Sequence, residues 1–179
     1  MLKHFFYLGV LLVFSGCAEF IAQSLFDTQQ QHEEETPLTT KYQILQLRVP
    51  QFSFYDFASI TKKRKSIEVK LYTLGKKVVE ISIEAKKICY NSECIGKWEA
   101  AKQIFGKVSY ANLLEDILLG NDIFDGEGKY INTKNGAMVQ WFTKGEQEIY
   151  YERTKEHTLF KNLSAGITIG VQSYDSRKQ

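Results

Sequence analysis

Several familiar chemistries are excluded by what this chain of 179 residues has little of. It has three histidines. His4 lies in an N-terminal apolar run, His32 in a polar stretch and His157 in a late loop, so neither a histidine-based triad nor a zinc site has enough partners. Phosphate-cradling glycine patterns are missing. The acidic turn "NDIFDGEG", with Asp122, Asp125 and Glu127, fails the calcium-loop spacing. No catalytic constellation assembles, so neither an enzyme nor a bound cofactor or metal is expected. Charge of one sign is also lacking: 23 Lys and Arg face 21 Asp and Glu, which argues against a nucleic-acid partner. There is no internal repeat and no Ser/Thr-rich stalk. Only two prolines stand against ten Tyr and twelve Phe, a balance that favours many strands around a broad apolar interior.

Long hydrophobic runs are absent too. The stretch from Phe5 to Phe14 follows Lys3 and is too short to span a bilayer, which takes about 20 residues. A basic start, a short apolar run and small residues Ser15 and Gly16 make a secretory signal. The next residue is Cys17, and "FSGC" resembles the lipobox of bacterial lipoproteins. That resemblance implies cleavage after residue 16 and acylation of Cys17, with palmitate among the chains, and Ala18 in place of Asp points to the outer membrane, periplasm-facing. The alternative is an ordinary signal peptide with an incidental cysteine. Cleavage removes only Lys3 among the charges, leaving 22 basic against 21 acidic residues.

Residues 17–40, centred on "DTQQQHEEETP", are polar and read as a tether, or as a frayed terminus without consequence. A domain is expected over 41–179. Leu45, Leu47 and Val49 alternate with polar residues; "QFSFYDFASI", "SIEVKLYTL" and "VVEISIEA" follow with short polar turns, the pattern of an antiparallel meander. "ICYNSECI" is a narrow hairpin that places Cys89 opposite Cys94, and in a secretory compartment a disulfide is favoured over a metal or redox site. The period then becomes helical. Trp98, Ala101, Ile104 and Phe105 stop at Gly106, and a second helix, "YANLLEDILLG", has Ser109 as its expected N-cap. "GKYINT", "AMVQWFT", "QEIYYERT" and "AGITIGVQSY" resume the strands.

This order of elements over Tyr42–Tyr174, with "YTLGKKVVEISI" at a strand turn, resembles the LolA/LolB lipoprotein-localisation family. The resemblance implies a mainly β fold: an unclosed antiparallel β half-barrel with two short helices as a lid and an apolar cavity for lipoprotein acyl chains. It also implies a periplasmic LolA-like carrier as partner and gives Leu74 the role of the leucine that pushes cargo into the membrane. Lys76 and Lys77 follow it and can meet anionic headgroups. The alternative is that Leu74 folds back onto its own sheet. A cavity of this kind would be lined by Val69, Leu71, Ile81 and Ile83 and covered by Leu113, Leu114 and Ile117. Three functions stay open: a monomeric acyl-chain or lipoprotein-binding receptor, an assembly lipoprotein in which those residues are plain core, and a surface antigen.

Overall fold

Alternating apolar and polar side chains need one buried and one wet face, and an antiparallel sheet supplies both. In the computed structural model, which describes residues 37–50 and 52–174, eleven strands form one such sheet. They are β1 (Thr39–Val49), β2 (Phe52–Lys62), β3 (Ser66–Thr73), β4 (Lys76–Glu84), β5 (Lys87–Tyr90), β6 (Glu93–Gly96), β7 (Lys129–Ile131), β8 (Met138–Lys144), β9 (Gln147–Arg153), β10 (His157–Asn162) and β11 (Ile167–Ser173). The spatial order is β6-β5-β4-β3-β2-β1-β11-β10-β9-β8-β7. Two meanders, β1–β6 and β7–β11, are therefore joined where β1 pairs antiparallel with β11, Leu45 opposite Val171. The sheet is not closed. Its free edges are β6 and β7, and the chain between them forms two short helices, α1 (Lys97–Phe105) and α2 (Leu113–Leu119).

Both meanders bury the same face. Leu45, Ala58, Val69, Leu71, Ile83, Ile149, Tyr151, Phe160 and Ile169 form one core with Phe105 of α1 and Leu113 and Ile117 of α2. Phe105 meets Phe160 edge to face, with ring centroids 5.5 Å apart. Buried Lys97 at the start of α1 pairs with Glu115 of α2, so an ion pair links the helices. Strand direction gives the sheet two ends. The upper end carries the finish of β1, the start of β2 and the turns at 74–75, 91–92, 145–146 and 163–166; the lower end carries the start of β1, the finish of β11 and the loops at 63–65, 85–86 and 154–156.

Four local expectations are corrected. β1 starts at Thr39, within the stretch expected as tether, and "HTLFKN" is a strand, so His157 opens β10 and does not lie in a loop. Ser109 does not cap α2. Its hydroxyl donates to the Gly106 carbonyl at 2.9 Å, just past the end of α1, where Gly106 takes a positive φ of 74°; α2 begins later, behind Asn112. Trp98 is half exposed, and α1 buries Ala100, Ala101 and Phe105 instead.

Candidate functional site

Beneath the helices the core does not fill completely. A cavity of about 330 Å³ lies between the inner face of the sheet and the helices, within the 300–1,000 Å³ typical of small-molecule sites. Its wall comes from inner-facing positions on neighbouring strands: Leu45, Leu47 and Val49 of β1, Val69 and Leu71 of β3, Val79, Ile81 and Ile83 of β4, and Ile169 of β11. Ile104 of α1 and Leu114 and Leu118 of α2 complete it, and Phe52 and Tyr90 stand at its rim, both partly exposed. Every lining side chain is apolar or aromatic, so any ligand it holds is held by burial, at about 25 cal/mol per Å².

Five of the residues expected to line a cavity do so: Val69, Leu71, Ile81, Ile83 and Leu114. Leu113 and Ile117 do not. They form the adjacent stripe of α2 and are fully buried in the core, while Leu114 and Leu118, four residues apart, make the stripe that meets the cavity. Phe52 and Tyr90 flank turns, where alternation gives no signal of burial.

Leu74 lies at the upper end and is 95% exposed. It and Gly75 form the two-residue turn between Thr73 and Lys76, with φ of 50° and 76°. Such turns favour Asn, Asp or Gly, because a left-handed conformation costs other residues about 1–2 kcal/mol. The neighbouring hairpin follows that preference, with Asn91 at φ 53°. Leu74 thus gains neither burial nor backbone comfort, and it does not fold back onto its sheet. Just past it, Leu71 faces Val79 while Tyr72 faces Lys77, so Val78 is an extra residue that bulges out, half exposed. Lys77 pairs with Glu80 at 2.6 Å. Lys76 forms no ion pair among the described residues.

Cys89 and Cys94 face each other across β5 and β6 and form a disulfide. Cys17, the leader 1–16 and most of the tether expected over 17–40 lie outside the described residues. Among the described residues, no His, Cys, Asp or Glu cluster could hold a metal, and no helix is long and apolar enough to cross a membrane. In the acidic turn, Asp122 pairs with Lys129 (2.7 Å) and with Arg153, and Glu127 with Lys144.

The titrating groups that depart from ordinary values sit in ion pairs and core contacts. Lys129, then Arg153, hold the Asp122 carboxyl below its usual range against some burial. A hydrogen bond from Tyr150, helped by His157, lowers Glu152 despite partial burial. Burial pushes Glu68 up, but bonds from Lys63 and Lys70 outweigh it, so its carboxyl is held low. Burial and Asp116 push the Tyr110 phenol up. Compared with known proteins, the sequence matches no family model and no curated sequence.

Proposed function

We propose that this chain is a lipid-anchored lipoprotein of the outer membrane, facing the periplasm, which holds acyl chains of lipoproteins in the apolar cavity and helps insert them into the bilayer. In this reading the open sheet is a half-barrel and α1 and α2 are its lid. Cys17 carries the anchor. The observation that carries the reading is the coincidence, at one end, of an apolar cavity rim and an exposed leucine in a strained turn. Strain and exposure at one residue point to use outside the fold. A leucine entering acyl chains contributes about 1.5–3 kcal/mol, and Lys76 adds about 1 kcal/mol near an anionic surface. Lys77 adds less, being partly neutralised by Glu80.

The test uses the full chain in neutral detergent. Native mass spectrometry should find fatty acid or acylated peptide bound, and a lipophilic dye should bind saturably. In a detergent-free Cys17→Ser background, where no acyl anchor holds the chain to a bilayer, Leu74→Glu should abolish association with anionic vesicles while leaving Tm nearly unchanged. A large fall in Tm, or a dye that fails to bind the native chain, would sink the reading. Palmitate labelling that persists in Cys17→Ser would remove the anchor.

A second reading, an assembly lipoprotein acting through protein contacts, draws on the outer face of β1 and β2. There Tyr42 and Tyr55 are exposed, and Phe57 meets Tyr174 edge to face. Loss of partner capture on Tyr55→Ala with vesicle binding intact would favour it.

A further inference from the structure

The lower end of the sheet holds a second cavity, of about 430 Å³, with the opposite chemistry. Inner-facing positions that carry Leu45 and Val49 higher on β1 carry Lys41 near its start, and the inner face of β2 ends in Lys62. Lys155, in the loop between β9 and β10, stands at the same cavity. These three ammonium groups come from three separate elements, and none forms an ion pair among the described residues. Arg153 also lines the cavity, but its charge is committed to Asp122 and its Nη1 donates to the Gly120 carbonyl. The lining contains one carboxylate, Glu156, so positive charge remains in surplus. Hydroxyl and amide groups of Thr39, Ser173 and Asn121 add neutral hydrogen-bonding capacity.

We propose that this lower cavity is a binding site for a phosphate group. A lysine at an inner position of a strand forfeits the burial that its neighbours gain, and here two do so without a carboxylate to reward them. Their arrangement fits a small, multiply charged anion approached from several sides, since an ammonium acts as a compact point charge and does not need the planar match of a carboxylate. Ile60, Leu118 and Val171 form an apolar floor that lowers the local dielectric and strengthens the attraction. The phosphate can belong to a lipid headgroup or to a soluble anion; the chemistry of the site is the same for both. The site lies apart from the acyl-chain cavity and does not rest on that reading.

The experiment titrates the full chain in neutral detergent with inorganic pyrophosphate, and in parallel with micelles doped with phosphatidic acid. Saturable binding should weaken about tenfold or more in the double variant Lys41→Gln, Lys62→Gln, should weaken with added salt, and should be unchanged in Lys102→Gln on the exposed side of α1. Pyrophosphate binding identifies a soluble anion; binding to doped micelles that survives Leu74→Glu and is lost in the double variant, with no pyrophosphate bound, identifies a headgroup. Both support the site. If neither probe binds, or if the double variant binds like the parent, the proposal fails. The exposed lysines make loss of fold in that variant unexpected, and unchanged Tm and dye binding check it; Lys155→Gln supplies a second, independent reduction. Dye binding also separates failure here from failure at the apolar cavity.

Discussion

The upper and lower ends of the sheet are made by the same strands and differ in what their inner faces carry. Toward the upper end, β1 presents Leu45, Leu47 and Val49 to an apolar cavity, and Phe52, Leu74, Val78, Tyr90 and Leu163 stand exposed around the turns. Toward the lower end the inner face changes to Thr39 and Lys41 on β1 and Lys62 on β2. Leu118 of α2 lines both cavities, and the paired residues Leu45 and Val171 line one each. The difference teaches that one continuous sheet can keep two chemistries apart by a change of residue type along each strand, with no change of fold.

Changes that strike the shared core should disturb both ends; changes at one end should spare the other. The largest effect is expected from Phe105→Ala, which empties a fully buried site against Phe160 and should cost about 3–5 kcal/mol. Urea denaturation measures it, and both dye and phosphate binding should weaken together. Next, Glu115→Ala leaves Lys97 buried without its partner, an expected loss of about 1.5–3 kcal/mol that lowers the denaturation midpoint at constant slope. Dye binding should suffer before phosphate binding, because α2 covers the apolar cavity. Smaller still, Leu74→Asn relieves a left-handed leucine and should stabilise the chain by about 1 kcal/mol while weakening vesicle association. A fall in stability would mean that the leucine packs in solution.

Acid should act most gently. Glu68, Asp122 and Glu152 have carboxyls held below the ordinary carboxylate range in the folded state. Depressed carboxyls contribute stability that is fully present above the unfolded value and is lost as pH falls through the folded one. Stability should therefore be level with respect to these groups above about pH 5 and decline below about pH 4. Glu68→Gln should flatten part of that decline in a denaturation series against pH.

Much of this organisation is legible in the sequence. Strict alternation marks β3 and β4, the Cys-x4-Cys hairpin pairs as its spacing requires, and glycine stops end both helices. β10 escaped because Thr158 and Asn162 share its inner face with Phe160, which erases the period of two. Lys41 and Lys62 gave no signal for a related reason: a charged residue at the end of a strand reads as fraying, and only pairing with neighbours reveals that both face inward. Leu113 and Leu114 are adjacent and equally apolar. Nothing local says which stripe of α2 meets a void and which meets the core, because that depends on how the helix is rotated against the sheet.

The two free edges have a further consequence. β6 has four residues and β7 three, so a second molecule adding a strand at either edge would find few main-chain partners, and edge-to-edge polymerisation is discouraged. The disulfide reinforces this by locking β6 to β5, the strand that covers the far longer β4, whose nine residues would template aggregation better. Reduction should let β6 and β5 peel away, and light scattering of concentrated protein should then rise; a reduced chain that stays dispersed would show that the bond guards nothing.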